Sequence, residues 1–303
     1  MLKKAFTMLE LVFIIVVMGI VASIGANIII NLYENYLKTR SIDKLQSQTE
    51  IVLDQIAKRL QYRIKDSVIA RDMNGINLYT KLSTSTNLKN YEILEWIGKS
   101  NESFLGRYDG SRVVPGWSGF IDLDSNETNS TAKTLKTSGS RLDYANTIIY
   151  ALSYGEVDLN GTAPQRPAII FRGKDFLDIN QYGWSGVDGN YTHRVMMKNS
   201  DVLIFDEGNP TTIYEQYDLA WSAYALVSSG ESSDFNLTLH YNYQPWHNEK
   251  YDDNSTRKIV LMQNVSTFRF TQIGETIRLK LCINDANKSG DYNFAFCKER
   301  VIF

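Results

Sequence analysis

An uncharged run at residues 11–30 constrains this chain more than any other feature. Its twenty residues would rise about 30 Å as a helix, which is the thickness of the hydrocarbon core of a bilayer. Lys3 and Lys4 precede the run, and the positive-inside rule holds that end in the cytoplasm. No A-x-A-like cleavage site follows it. The run therefore predicts a single membrane-spanning helix, with the rest of the chain on the far side of the membrane.

Composition and motifs argue against several classes of protein. With 303 residues, of which 43% are hydrophobic, the chain can bury a sizeable core. A net charge of -2 argues against a nucleic-acid binder that works by bulk electrostatics. His193, His240 and His247 form no H-E-x-x-H pair, and the sequence has no G-x-S-x-G elbow, P-loop or dinucleotide fingerprint. We therefore expect no enzyme and no cofactor.

Glu10 is a carboxylate at the edge of the apolar run. Such a group is costly near hydrocarbon and is normally retained where a positive partner neutralises it, yet no basic residue follows before Lys38. If the chain were cut before Phe6, the new α-amino group would lie one helical turn from Glu10. It could pair with that carboxylate or with the Glu10 of a neighbouring copy. A carboxylate that snorkels to the headgroups is the simpler alternative.

The stretch from Lys3 to Glu10, followed by the apolar run, resembles the class III signal of type IV pilins and type II secretion pseudopilins. The resemblance implies that a prepilin peptidase cleaves after Ala5 and methylates the new N-terminal Phe6. It also implies that Glu10 neutralises the N-terminus of an adjacent subunit in a filament. Other pilin subunits and an inner-membrane assembly platform would be the partners. Ala5 departs from the usual glycine before the cut, and Asn27 stands where many major pilins have proline.

The helical pattern continues beyond the membrane segment. Apolar residues recur at three-, four- and seven-residue steps from Ile42 to Ile64, and no proline occurs before Pro115. We predict one long helix over residues 6 to about 70, which is apolar over 6–30 and amphipathic over 31–70. Residues 1–5 are then a cytoplasmic leader, and residues 71–303 form one β-rich periplasmic head. The expected fold class is α+β, with the long helix packed on an antiparallel sheet.

Short apolar runs between polar turns predict the strands of the head, at residues 147–152, 168–171, 202–205 and 219–227. The clearest sheet signal is a hairpin with strands at 265–270 and 276–283 and a turn at 272–275. A last strand-like piece covers 300–303. We find no internal repeat and no clean linker, so one elaborated domain is preferred to two.

The two cysteines, Cys282 and Cys297, lie near the C-terminus and match no metal-ligand spacing. They form one disulfide if the compartment is oxidising and remain buried thiols if it is not. Outside the cytoplasm we expect them to pair, as is common in pilins by resemblance. Between them, oxygen-bearing residues alternate as in the first half of a calcium loop, at Asp285, Asn287, Ser289 and Asp291. The twelfth position is Phe296, which lacks the acidic ligand, so an ordinary Asx-rich turn is the favoured interpretation.

Nine Asn-x-Ser/Thr tripeptides occur, and seven of them carry an acidic residue two places before the asparagine. This pattern resembles the acceptor sequon of the bacterial periplasmic oligosaccharyltransferase, and it predicts glycans on exposed loops. The alternative is that Asp, Asn and Ser cluster in turns, which explains their proximity but not the fixed offset. The seven candidates are Asn126, Asn129, Asn160, Asn190, Asn236, Asn254 and Asn287.

An aromatic stretch at residues 241–246, together with Trp184 and Trp221, could stack on a sugar or a base. Core packing is the commoner role for such residues.

The expected function is that of a minor pilin or pseudopilin, a structural subunit that enters or initiates a filament. Within the family, an adhesin or DNA-uptake pilin is the alternative, although no nucleic-acid partner is expected. The rival from another class is a signal-anchored periplasmic binding protein or enzyme that does not polymerise.

Overall fold

The computed structural model describes residues 7–73, 75, 78–85, 91–172, 178–185, 190–208, 210, 212–231, 233–285 and 295–303. Three α-helices lie in this part of the chain: α1 (Met8–Gln61), α2 (Asn101–Leu105) and α3 (Leu142–Leu152). The strands described are β1 (Ile69–Asp72), β2 (Tyr79–Lys81), β3 (Tyr91–Lys99), β4 (Arg107–Tyr108), β5 (Val113–Val114), β6 (Thr134–Lys136), β7 (Ala168–Phe171), β8 (Thr192–Asn199), β9 (Val202–Phe205), β10 (Tyr217–Glu231), β11 (Asp234–Tyr243), β12 (Arg257–Ile273), β13 (Thr276–Asn284) and β14 (Ala295–Ile302).

Helix α1 has 54 residues and is about 80 Å long. It ends at Gln61, so the prediction of helix to residue 70 is wrong. The chain leaves the helix there because its backbone pairs with β3 instead: the Ile64 N–H donates to Ile97 O at 2.9 Å, and the Lys99 N–H donates to Tyr62 O at 2.8 Å. Ile64, which continued the apolar period, is buried against the sheet rather than on the helix.

Among the described residues, twelve strands form one sheet whose pairs are all antiparallel, and β4 and β5 form a separate ribbon. The main order is β14-β13-β12-β11-β10-β7-β8-β9-β6, with β3 joined to β10, β1 to β3 and β2 to β1. Strand β10 holds the sheet together because different parts of it pair with β7, β3 and β11. A long helix and an antiparallel sheet confirm the α+β class.

Most of the predicted strands are confirmed. Residues 168–171 and 202–205 are β7 and β9, and residues 219–227 lie within β10. The C-terminal hairpin is β12 and β13, in which Ile273 faces Thr276 across a two-residue turn. Gly274 adopts a φ of 58° in that turn, a conformation that glycine reaches without a steric penalty. The strand predicted at 300–303 is the end of β14.

The strand predicted at residues 147–152 is wrong, because this run is the second half of α3. Leu142, Ala145 and Ile149 are buried and recur at three- and four-residue steps, which is the period of a helix face. A short run of apolar residues does not distinguish a strand from a buried helix. The apolar residues Leu142 and Ala145, which lie before the run, carried the helical signal.

Two apolar cores lie on opposite faces of the central strands. Successive side chains of β3 alternate between them: Leu94 and Trp96 join the core beneath α1, while Ile93 and Ile97 join the other. We call the core beneath α1 the first core. Its helical residues come from the second half of α1, and its sheet residues come mainly from β12 and β13. Its α1 members are Leu45, Val52, Leu53, Ile56 and Leu60.

A buried ion pair joins β1 to β3. Arg71 and Glu95 are only 3% and 1% exposed at their side chains, and the Arg71 Nε donates to the Glu95 carboxylate. Tyr243 Oη donates to the same carboxylate at 2.9 Å. Burial raises the pKa of Glu95, and the charge and hydrogen bond of Arg71 act against that shift. Each buried charge of the pair is balanced by the other, so replacing either residue leaves the opposite charge unbalanced.

Replacing Glu95 by glutamine (Glu95→Gln) should lower the free energy of unfolding by about 3–5 kcal/mol, because the Arg71 guanidinium stays buried without its carboxylate. The measurement is urea unfolding of the full chain in detergent, followed by tryptophan fluorescence. The matched control is the double variant Arg71→Met/Glu95→Leu, which removes both charges and should lose much less. A single variant as stable as the wild type would contradict the prediction.

Candidate assembly helix and modification sites

The first half of α1 is bare. From Met8 to Arg40 almost every residue is exposed, including the large apolar side chains of the uncharged run. By length and composition this helix is sufficient to cross a membrane, and none of the residues in its apolar window is buried inside the protein. A single apolar helix of membrane length therefore projects from the head.

Small residues lie at three- and four-residue spacing along this bare segment, at Gly19, Ala22, Ser23 and Ala26. A Cβ atom built on Gly19 or Gly25 would meet nothing within 4 Å. These glycines are therefore not required by any contact within the described chain. Small residues at such spacing allow two helices to approach closely in lipid or in a filament core.

Thr7 and Glu10 form a capping box at the start of α1. The Thr7 N–H and Thr7 Oγ1 donate to Glu10 Oε2 at 3.0 and 2.9 Å, and the Glu10 N–H donates back to Thr7 Oγ1 at 3.4 Å. Both bonds from Thr7 end on Oε2, and Glu10 Oε1 accepts no hydrogen bond from the described residues. Sequence reasoning missed this role, although Thr-x-x-Glu before an apolar run is its signature. The carboxylate caps its own helix and has one oxygen left for a second donor.

The second half of α1 is held to the C-terminal strand β14 by charge as well as by the apolar core. Arg300 Nη2 donates to Asp54 Oδ1 at 2.7 Å, and Lys298 pairs with Glu50. These side chains are 30–44% exposed, so each pair contributes about 0–1 kcal/mol. The apolar face of α1 supplies most of the docking free energy, and the ion pairs fix which turn of the helix lies on β14.

Cys282 and Cys297 form the expected disulfide. They face each other directly across β13 and β14, with their Cα atoms 4.0 Å apart. In the described sheet β14 is an edge strand that pairs with β13 alone. The disulfide therefore ties the strand that carries Lys298 and Arg300 to the body of the sheet.

The seven glycosylation candidates differ in accessibility. Asn126, Asn129, Asn160, Asn190 and Asn254 are exposed, Asn236 is half-buried within β11, and Asn287 lies outside the described residues. Access to the rest of the sequon separates them further. Asp158, two places before Asn160, is buried and accepts bonds from the N–H groups of Gly161, Thr162 and Ala163.

Around Asn129 the whole sequon is open to solvent: Glu127, Asn129 and Thr131 are all exposed. Asn129 Oδ1 accepts from the N–H groups of Thr131 and Ala132 in an Asx turn, which orients the side-chain amide. Around Asn254 the acid Asp252 is exposed, but the Thr256 hydroxyl is buried and donates to Lys250 O. Among the sequons that the structure describes in full, only that of Asn129 exposes all three residues.

The processing residues Ala5 and Phe6 lie outside the described residues, as do the calcium candidates Asn287, Ser289 and Asp291. Asp285 is described, and its carboxylate accepts a hydrogen bond of 2.5 Å from Ser41 on α1. Among the described residues, no group of three or more His, Cys, Asp or Glu side chains could hold a metal ion. The choice between the favoured Asx-rich turn and a calcium loop therefore falls on residues outside the described part of the chain.

The aromatic stretch suggested for stacking on a ligand is core. Trp184, Trp221, Tyr243 and Trp246 are at most 6% exposed. His240 is also buried, its Nδ1 lies 2.7 Å from Tyr251 O, and burial lowers its pKa. Packing is therefore the correct interpretation of this cluster. Only Tyr241, at the outer end of the stretch, keeps a half-buried ring.

A groove of about 940 Å³ lies where α1 diverges from the sheet. Residues 34–48 of the helix form one wall, and parts of β12 and β13 form the other. Lys38, Arg40 and Lys44 make the helical wall largely basic, whereas Val260 and Met262 are apolar. The groove marks the place where the docked half of the helix gives way to the bare half.

In the described chain, α1 begins as an apolar segment long enough to cross a membrane. It continues without a break into a second half that packs on the β-rich head. No family model, no curated protein and no solved structure matches this chain.

Replacing both cysteines by serine should lower the free energy of unfolding by about 3 kcal/mol, because the disulfide closes a loop of 15 residues and pins an edge strand. Thermal unfolding of the full chain, followed by circular dichroism, measures the change. Wild-type protein in a reducing agent is the matched control and should melt at the temperature of the double variant. An unchanged melting temperature in both samples would contradict the structural role.

Proposed function

We propose that this chain is a minor pilin or pseudopilin, a membrane-anchored subunit that assembles with related subunits into a periplasmic or extracellular filament. The observation that carries the proposal is the division of α1. Its second half is docked on the head, whereas residues 11–30 of its first half are apolar, almost all exposed and long enough to cross a membrane. Such a segment needs lipid before assembly and other helices after it.

Glu10 is the residue that directs the assembly. After cleavage behind Ala5, the α-amino group of Phe6 would lie near the level of Glu10 on the neighbouring subunit. The Oε1 atom that the capping box leaves available would accept from that amine. A charge pair within the membrane layer is strong because the surrounding dielectric constant is low. One subunit is thereby held in register with the next.

The partners and location follow from this role. A prepilin peptidase on the cytoplasmic side would remove residues 1–5 and methylate Phe6, and an inner-membrane platform would extract the subunit. Until then the chain is a single-pass protein of the cytoplasmic membrane, with its head in the periplasm. The head that follows the end of α1 at Gln61 is far larger than a major pilin requires, which favours a minor subunit. Its work is assembly rather than catalysis.

The head also carries glycans in this proposal, with Asn129 as the preferred acceptor. Its amide is exposed and oriented, and the acidic and hydroxyl residues that the transferase would recognise are exposed beside it. Asn160 is a poor acceptor once the domain has folded, because Asp158 is buried within its own turn.

Replacing Glu10 by alanine should leave membrane insertion and cleavage intact and strongly reduce incorporation into filaments. Sheared-filament fractionation measures incorporation, and mass spectrometry of the N-terminal peptide measures cleavage. Thr7→Val is the matched control, because it removes the side-chain cap, worth about 1 kcal/mol, but keeps the carboxylate. It should assemble normally.

If Thr7→Val failed as badly as Glu10→Ala, helix capping rather than pairing between subunits would explain Glu10. A wild-type peptide that begins at N-methyl-Phe6 supports the proposal. An intact Met1 in the mature wild-type protein would overturn it and favour the anchored monomer.

In the native host, glycopeptide mass spectrometry should find Asn129 modified and Asn160 unmodified, because only the first sequon is fully accessible in the folded head. Glu127→Ala is the informative variant, since it keeps the asparagine and the Asx turn but removes the acidic residue. It should abolish modification at Asn129. Equal occupancy at both asparagines would show that transfer does not depend on the folded structure.

A further inference from the structure

Helix α3 ends in a Schellman motif that contains an unusual residue. The Gly155 N–H donates to Tyr150 O at 2.8 Å, and the Tyr154 N–H donates to Ala151 O at 3.3 Å. These two bonds place Tyr154 at the position that follows the C-cap, where its φ is 58°. Glycine is the usual residue there, because the left-handed conformation brings a Cβ atom too close to the backbone.

The Tyr154 ring is 65% exposed, so it buries little surface that could offset this backbone strain. A bulky aromatic residue that is both strained and exposed contributes little to the stability of the fold. Strained positions that persist in a structure cluster at binding and catalytic sites. The feature therefore points to a ligand, and the surroundings of the ring indicate its chemistry.

Charged groups surround the ring. The Cζ atom of Arg257 lies 4.0 Å from the centroid of Tyr154, so a guanidinium backs one face. Arg257 Nη2 donates to Glu156 Oε1 at 3.2 Å, and Asn242 Nδ2 donates to Glu156 Oε2. Asn242 is itself held at a φ of 61°. The carboxylate is thus fixed beside the tyrosine by two partners.

Two polar atoms of this cluster lack partners in the described part of the chain. Asn242 Oδ1 and Arg257 Nε are buried and form no hydrogen bond there. Buried polar atoms are nearly always bonded to protein or to ordered water, so each of these calls for an explanation. A water molecule enclosed beside each atom would provide one.

Two further tyrosines extend the aromatic surface. The Tyr150 hydroxyl lies 3.2 Å from the position that a Cβ at Gly155 would take, so its ring covers that glycine. Tyr150 is 50% exposed. Tyr241 is a neighbour of Tyr154: burial raises the pKa of Tyr241, and the Tyr154 phenol raises it further. Tyr154 is therefore the most exposed ring of a shallow group of three.

We propose that Tyr154 is the stacking surface of a carbohydrate-binding site, with the ring of a pyranose lying on its open face. The apolar C–H face of a sugar matches an aromatic ring, and its hydroxyl groups donate to carboxylates and accept from guanidinium and amide groups. Glu156 and Arg257, whose side chains are 37% and 38% exposed, supply those groups beside the ring. The buried Asn242 holds the Glu156 carboxylate in place. A protein hot spot would instead present a larger apolar centre with its charges at the rim.

Saturation-transfer NMR on the full chain, in a zwitterionic detergent without sugar headgroups, tests the proposal. The protein is produced without an oligosaccharyltransferase, so that its own glycans do not compete. The probes are methyl β-glucopyranoside, N-acetylglucosamine and lactose, with the open-chain polyol sorbitol as the negative control. Saturation from the tyrosine resonances should reach the ring C–H protons of at least one pyranoside and not those of sorbitol.

Tyr154→Gly separates binding from folding. It should weaken saccharide binding at least about tenfold and leave the melting temperature unchanged or raised, since glycine suits the left-handed position. Tyr154→Phe keeps the ring and should retain binding. Tyr108→Ala is the matched control, because Tyr108 is an equally exposed tyrosine, at 61%, on a different ribbon.

Three outcomes would overturn the site: no saturation of any pyranoside, wild-type binding by Tyr154→Gly, or a lower melting temperature of that variant. Loss of contact with another subunit in Tyr154→Gly, without any saccharide binding by the wild type, would identify a protein interface instead. The saccharide-binding and melting measurements do not depend on filament assembly.

Discussion

The docking of one half of a helix is the constraint on which the rest of this structure depends. Leu53, Ile56 and Leu60 bury one stripe of α1 against the sheet, and each fully buried side chain of this kind contributes about 1.5–3 kcal/mol. The stripe ends near Leu45, and from Met8 to Arg40 almost every residue of the helix is exposed. Because the backbone hydrogen bonds of a helix are all made within the helix, the exposed half can remain helical without packing on the head. Its apolar side chains are then available to lipid or to other helices.

The head is organised to hold that helix in place. Strand β14 carries the cations that meet Glu50 and Asp54, and the disulfide to β13 anchors this edge strand. Beneath them, β3 is buried on both faces and joins the two apolar cores. The Arg71–Glu95 pair crosses from β1 to β3, where removal of one charge would leave the opposite buried charge of the pair unbalanced. Force on the helix would thus reach the sheet through β14 and the first core.

At two places on the surface of the head, the local backbone geometry determines whether a side chain is exposed and how it is oriented. The Asx turn at Asn129 exposes and orients an amide, whereas the turn around Asp158 buries the acidic residue of a similar sequon. At Tyr154, a left-handed residue at the end of α3 raises an aromatic ring into solvent. Similar sequence patterns therefore differ in accessibility according to the turn that contains them.

The sequence by itself determined the features that depend on short-range pattern. The apolar run, the β12–β13 hairpin and β7 and β9 were all predicted, because period and turn chemistry are local. Tertiary structure decided the rest. The chain leaves the helix at Gln61 because its backbone pairs with β3. The run at 147–152 is helical because its buried face includes Leu142 and Ala145. The aromatic stretch is core because its rings pack into the apolar cluster formed with the strands. The Thr7–Glu10 cap was visible in the sequence. The partner of Glu50 was not, because Lys298 lies far from it along the chain. The burial of Asp158 and the strain at Tyr154 depend on backbone dihedral angles that no local pattern encodes.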